Sequence, residues 1–276
     1  MCAALACFAC LDALAKWLGS HMDPIQVVWT RYTTALVMVL IIFNPWQNRG
    51  VLVTRRPWIQ AVRSALLFGS TALNFFALQH LQLDQTVSIM FATPFLVAIL
   101  SGPFLGEWIG PRRWAAVIVG FIGVLVVTRP WGGSIHWAML LSMVGACCYA
   151  VYNLLTRLLA GQDSAATTSI YSVAFGAIVA TALVPMVWVT PDSIGVVAGM
   201  IAIGALGAFG HWLLIQAYRQ ASATALAPYP YLQMVWMMIS GYLVFGQLPD
   251  GWTLVGAAII VVSGLYIVHR EHRLTL

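Results

Sequence analysis

Apolar residues run in long stretches along almost the whole chain, and polar residues are gathered into short breaks between them. A helix crosses the hydrocarbon of a bilayer in about 20 residues. Stretches of that kind fall at 1–19, 25–43, 58–78, 85–104, 113–128, 136–159, 166–189, 194–217, 223–245 and 252–268. The breaks carry turn chemistry: Ser20-His21-Met22-Asp23-Pro24, Arg55-Arg56-Pro57, Gly110-Pro111-Arg112-Arg113, Gly132-Gly133, Thr190-Pro191-Asp192 and Pro249-Asp250-Gly251. The pattern predicts an all-α integral membrane protein of ten transmembrane helices. The first stretch has no cationic leader and has a counterpart in the second half of the chain. It is therefore read as a span and not as a secretory signal.

Composition narrows the class further. Of 276 residues, 61% are hydrophobic and 8% charged, against about 25% charged in a soluble domain. A water-facing surface needs more charge than this. The cations are few and scattered, so a phosphate-gripping face is lacking as well. A soluble enzyme, a disordered chain and a nucleic-acid binder are excluded. Trp46, Trp58, Trp108, Trp114, Trp131, Trp137, Trp188 and Trp252 gather near span ends, where an amphipathic ring prefers to sit. Cys2, Cys7, Cys10, Cys147 and Cys148 lie inside apolar runs. They read as small packing residues, the Cys7-x-x-Cys10 spacing included.

The placement of cations sets an orientation. With a cytoplasmic N-terminus, Arg49, Arg55, Arg56, Arg63, Arg112, Arg113, Arg157, Arg219, Arg270 and Arg273 fall at or near the cytoplasmic side, and only Lys16, Arg31 and Arg129 fall toward the other. Asp23, Asp84, Asp192 and Asp250 sit in the opposite loops. This positive-inside bias places both termini in the cytoplasm. The longest loop, about 44–57, is too short for a catalytic domain, and the chain has no Gly-rich phosphate loop. No ATPase subunit, cofactor or metal is implied, and His269-Arg270-Glu271-His272-Arg273 reads as a basic interfacial anchor.

The two halves resemble each other at an offset near 140. Ser101-Gly102 and Gly106-Glu107 match Ser240-Gly241 and Gly246-Gln247 with one gap; Cys7, Asp12 and Lys16 match Cys148, Asn153 and Arg157; Ala77 falls on Ala217. Each half holds five spans, an odd number, so the second half enters the membrane upside down. Inverted repeats of this kind hold substrate at their interface in alternating-access transporters.

These residues carry a resemblance to the drug/metabolite transporter superfamily with two EamA-type repeats, at residues 1–130 and 136–270. Lys16 ends helix 1, Pro24 precedes Arg31 in helix 2, Pro94 lies in helix 4 ahead of Gly106-Glu107, and a short fifth helix with Gly120 and Gly123 runs from Trp114 to Thr128. Within the family the chain is most similar to amino-acid exporters of the YddG type. The resemblance implies outward transport of aromatic and other neutral amino acids through a central cavity lined by helices 1, 3, 4, 6, 8 and 9. It further implies a bacterial inner membrane, with a small solute and the bilayer as the only partners. Two departures stand against a symmetric pair of carboxylates: Gln247 replaces the usual Glu, and Ser172 stands where Arg31 would recur.

Polar residues inside the spans are the candidate cavity wall. Helix 3 carries Ser70, Thr71 and Asn74; helix 8, its repeat counterpart, carries Gly207, Gly210 and His211, with Thr71 and His211 aligned within a residue. An unpaired amide or imidazole in hydrocarbon costs several kcal/mol, so these groups face protein or water. Pro94, and Pro228 and Pro230 around Tyr229 with Tyr231 after them, free upstream carbonyls and present π faces. Trp17 is placed with this wall. Asp12 and Lys16 are one turn apart and read as a charge pair or gate, as does Arg157 at the matching place. Arg31 and Arg63 read as snorkelling or paired. Acids are scarce at depth, which favours facilitated diffusion over proton coupling through His211 or Asp12. An exporter of drugs, quaternary amines or other metabolites is the alternative. An enzyme is a distant third, since no nucleophile–base pair converges.

Overall fold

The computed structural model describes residues 1–81, 86, 89–90, 92–108, 110–129, 137–226, 229–246 and 251–274. Asp84, Trp131, Gly132-Gly133, Pro228, Gln247 and Pro249-Asp250 lie outside the described residues, as do the side chains of Arg113, Pro230, Tyr231 and 269–273. Ten helices fill most of the remainder: α1 (Cys2–Leu18), α2 (Pro24–Phe43), α3 (Pro57–His80), α4 (Ala92–Leu105), α5 (Pro111–Thr128), α6 (Trp137–Leu159), α7 (Ala165–Leu183), α8 (Ile194–Gln220), α9 (Gln233–Phe245) and α10 (Gly251–Leu274). No strand occurs among the described residues.

Local chemistry sets the ends. Pro24, Pro57 and Pro111 open α2, α3 and α5 at the position where a missing N–H costs nothing. Asp23 caps α2 by accepting from the Ile25 N–H at 2.8 Å, and Ser164 caps α7 through Thr167 N–H at 3.0 Å. Gly106 closes α4 at φ +71°, a conformation that suits glycine. Pro185 follows the end of α7 in a 3-10 turn, Val184–Met186, so α7 stops short of the expected 189. Among the described residues the ninth span is not one α-helix. A single turn at Ala223–Leu226 and a 3-10 turn at Tyr229–Leu232 precede α9.

Among the described residues five segments, α2, α3, α6, α7 with its 3-10 turn, and α8, are by themselves long and apolar enough to cross a membrane. Large apolar side chains face outward on them and their neighbours, including Ile41, Ile178, Met186 and Leu243, as a lipid-facing surface requires. Trp46, Trp58, Trp108, Trp188 and Trp252 are exposed at or near helix ends.

The packing repeats across the interface of two five-helix units. Helix α1 lies along α8 as α6 lies along α3; α1 meets α9 as α6 meets α4; α2 pairs with α7, and α5 with α10. Each pair exchanges under a swap of the halves, which is the two-fold relation of an inverted repeat. Glycine permits a close crossing of α8 on α2. A Cβ on Gly204 of α8 would stand 2.8 Å from the Ala35 backbone nitrogen of α2.

Candidate functional site

A central cavity lies between the two units. Its wall comes from Phe8, Leu11 and Asp12 of α1, Arg31 of α2, Leu67, Ser70, Thr71, Asn74 and Phe75 of α3, Met90 just ahead of α4, Thr93 of α4, Tyr149 of α6, His211 of α8 and Gln233 of α9. Its volume is about 90 Å³, room for several waters at roughly 10–15 Å³ each.

One side of the wall is a closed hydrogen-bond network. Arg31 is 5% exposed and donates from Nη1 to Thr71 Oγ1 and from Nη2 to His211 Nε2 at 2.9 Å. Guanidinium has no acceptor. His211 Nε2 is therefore the acceptor and its proton sits on Nδ1, which points at Tyr152 Oη 3.2 Å away. Thr71 donates to the Leu67 carbonyl at 2.9 Å and lies 3.1 Å from Tyr32 Oη, which is left to donate. Arg31 stacks on Tyr32 with its guanidinium carbon 4.8 Å from the ring centroid.

The other side is unsatisfied. Asn74 Oδ1, Thr93 Oγ1 and Arg31 Nε are buried with no hydrogen-bond partner in the protein. Asp12 faces the same cavity. Among the described residues no hydrogen bond or ion pair reaches its carboxylate, and the charge that acts on it is that of Arg31. Unpaired donors and acceptors in a low-dielectric wall are costly unless water or a solute meets them. The phenyl rings of Phe8 and Phe75 and the Tyr149 ring complete the wall.

The expected site residues divide accordingly. Asn74, Thr71, Ser70, His211 and Asp12 come together at the cavity. Trp17 does not. It stands five residues beyond Asp12, about 140° round the helix, and packs against Gly199 and His21. Pro94 is buried in α4 beside the lining Thr93. Tyr229 packs into an apolar cluster with Phe8, Leu67, Tyr152 and Tyr218. No hydrogen bond or ion pair joins Asp12 to Lys16, and Lys16 Nζ lies 5.8 Å from the Phe245 ring centroid. Arg157 is held by Glu107, Nε to Oε1 at 2.9 Å, and donates to the Tyr218 carbonyl at 3.1 Å. This pair joins the end of α4 in the first unit to α6 and α8 in the second.

Arg63 does not snorkel. It is fully buried and donates to Thr156 Oγ1 at 2.9 Å, to Ser172 Oγ at 2.6 Å from Nη2, and more distantly to Gln60 and the Thr168 carbonyl. It also stacks over Tyr152 at 4.9 Å. Thus Ser172, where a second arginine would recur, is an acceptor for Arg63. Gln60 Nε2 continues to Asp163 Oδ2 at 2.9 Å, which also receives Thr54, while Asp163 Oδ1 accepts from the Arg55 N–H. Burial alone raises the Asp163 carboxyl, but the hydrogen bonds from Thr54, Gln60 and Arg55 and the Arg55 charge outweigh it and hold it below the ordinary 3.8.

Sequence reasoning misses Arg31, Thr93, Tyr149 and Gln233 as lining residues, and the rings of Phe8 and Phe75 with them. Thr93 is marked only by its neighbour Pro94. Tyr149 has a signal, because it repeats Phe8 at the offset of 141 that relates Asn153 to Asp12.

A family model described as "EamA-like transporter family" matches residues 1–129 and 136–269. The S-adenosylmethionine uptake transporter of Rickettsia conorii is 29% identical over 262 residues, covering 95% of this chain and 88% of the relative. A riboflavin transporter of Vibrio cholerae is 28% identical, covering 96% and 90%. A pseudopaline exporter of Pseudomonas aeruginosa is 26% identical, covering 93% and 90%. A solved crystal structure, 17% identical, superposes with a TM-score of 0.76 over 99% of this chain and 98% of the other, which shows a shared fold.

Proposed function

Because this chain belongs to the EamA-like transporter family, and so is a multi-pass membrane transporter of a small molecule and not an enzyme, we propose that its cargo is an amino-acid-type zwitterion carried through the central cavity by alternating access. The observation that carries this reading is the pairing of opposite charges on one cavity wall. Asp12 offers an unbonded carboxylate, and Arg31 offers Nε from a guanidinium otherwise engaged. An ammonium group meets Asp12, and a carboxylate meets Arg31. Asn74 Oδ1 and Thr93 Oγ1 take further donors, and Phe8, Phe75 and Tyr149 face an apolar or planar side group.

S-adenosylmethionine is one solute of this kind, with an amino-acid end, a positive centre and a planar ring. The name of the rickettsial relative supports including it beside the aromatic and neutral amino acids. Export and uptake are then one carrier run in opposite directions. Transport follows the solute gradient, because His211 Nε2 is already occupied by Arg31 and, among the described residues, no acid besides Asp12 lines the cavity. The protein sits in a bacterial inner membrane with both termini cytoplasmic, the side on which Arg49, Arg55, Arg56, Arg157 and Arg219 fall. Reporter fusions at the two ends check this, and reporters active on opposite sides would refute it.

Counterflow in proteoliposomes against a labelled panel of amino acids, S-adenosylmethionine, riboflavin and a quaternary amine tests the cargo. The zwitterions compete with one another and exchange at a rate that an imposed proton gradient leaves unchanged. A quaternary amine needs Asp12 and rings but not Arg31. Exchange confined to quaternary amines overturns the reading, and a rate that tracks the proton gradient overturns the facilitator.

A further inference from the structure

Helices α1 and α6 occupy equivalent places in the two units, and three pairs of residues match along them at an offset of 141: Phe8 with Tyr149, Asp12 with Asn153, Lys16 with Arg157. The spacing of four puts each trio on one stripe of its helix. On α1, both Phe8 and Asp12 line the cavity. On α6, Tyr149 lines it, but the next residue on the stripe, Asn153, is 2% exposed, with Oδ1 buried and unpartnered. One turn further on, Arg157 is tied to Glu107 and to the Tyr218 carbonyl. Asn153 therefore sits between the cavity-lining Tyr149 and the tied Arg157 on the same stripe of α6. A native interior seldom leaves an amide oxygen without a donor, and such a group asks for an explanation.

We propose that Asn153 is the counterpart of Asp12 in the opposite-facing state, so that the carrier holds the cationic end of its solute with a carboxylate when one face is open and with a neutral amide when the other is. In an inverted repeat the two units exchange environments as access alternates. Opening the Arg157 end gives α6 the setting that α1 has here, and Asn153 Oδ1 enters the widened cavity. The amide accepts a hydrogen bond from an ammonium group but supplies no charge, so it binds that group more weakly than Asp12 does. The two faces consequently load at different concentrations. Because linkage forbids a passive carrier from changing the final equilibrium, the difference in affinity is matched by opposite differences in rate. Asymmetry built into the repeat thus sets a high-affinity face and a releasing face without an energy source.

This inference rests on the zwitterion reading, and the experiment separates the two. The apparent KM of labelled S-adenosylmethionine is measured from each face in vesicles of defined orientation, for the parent, Asn153→Asp and Asp12→Asn. The parent shows unequal values. Asn153→Asp lowers the weaker one at least fivefold, leaves the stronger one unchanged and slows turnover. Asp12→Asn weakens the stronger face. If Asp12→Asn leaves both faces at parental values, the cargo reading itself has failed. If Asp12→Asn acts while folded Asn153→Asp matches the parent on both faces, only the role of Asn153 is overturned. As a second measurement, Asn153→Cys places a thiol at this position in a chain whose five native cysteines are changed to serine, and a membrane-impermeant maleimide labels it. The thiol reacts faster when Glu107→Ala removes the acceptor of Arg157 Nε. A rate unaffected by Glu107→Ala contradicts the proposal.

Discussion

Arg31 on α2 donates to His211 Nε2 on α8 at 2.9 Å, and that bond decides which nitrogen of His211 carries the proton. It also binds the first unit to the second at the depth of the cavity. His211→Ala removes the acceptor for Arg31 and the partner of Tyr152 together. Stability falls by about 1–3 kcal/mol, the cost of leaving a buried donor unmet, and apparent affinity falls with it as Arg31 loses its position. Thermal unfolding in detergent and counterflow measure the two effects. A variant with parental melting and parental KM refutes the network.

Asn74→Ala and Thr93→Val behave differently. Both atoms lack protein partners, so neither change costs stability. Each raises KM by roughly 2–10-fold, the value of one hydrogen bond of about 0.5–1.5 kcal/mol to the solute. Parental KM for both variants in counterflow removes these residues from the site.

Glu107 and Arg157 form a partly exposed ion pair, with side chains 20% and 29% exposed. Pairs in such settings are worth about 0–1 kcal/mol and are screened by salt. Glu107→Arg and Arg157→Glu singly disturb the resting state and change the transport rate severalfold, and the double exchange restores it. Failure of the double variant to recover, with each single variant folded, shows that charge is not what joins these helices.

Asp163 lies in the connection between α6 and α7, outside the spans. Its folded carboxyl is held below the ordinary 3.8. The stabilisation is present in full above the ordinary value and is lost as pH falls through the lowered one. Asp163→Asn removes this acid-side dependence and loosens the contact of residues 54–60 with the second unit. Unfolding midpoints measured from neutral pH down past 3.8 check it. Identical slopes for parent and variant contradict the assignment.

The fold was legible because spanning length, prolines at helix starts and the repeat offset are local or periodic signals. Pro24, Pro57 and Pro111 begin helices where they stand. The site was legible only in part. Asn74 and His211 are polar in apolar runs, so expense alone singled them out. Arg63 was not legible, because its acceptors Thr156, Thr168 and Ser172 come from the other unit, about a hundred residues away in sequence. Trp17 stands against Gly199 and His21, on another side of α1 from Asp12, and side on a helix depends on packing that the residue type does not encode. The 3-10 turn Tyr229–Leu232 before α9 falls where the sequence carries Pro230, yet where that turn gives way to α-helix depends on packing that no local pattern encodes.

The central claim is that a zwitterion crosses between Asp12 and Arg31. Counterflow of labelled S-adenosylmethionine and a labelled neutral amino acid into proteoliposomes of the parent and of folded Asp12→Asn tests it most directly. With solute near the parent's KM, the account predicts accumulation by the parent of at least one of these solutes and a markedly lower level for the variant, whose neutral amide holds the ammonium group more weakly. Equal accumulation by both proteins, or none by the parent of either solute, would contradict it.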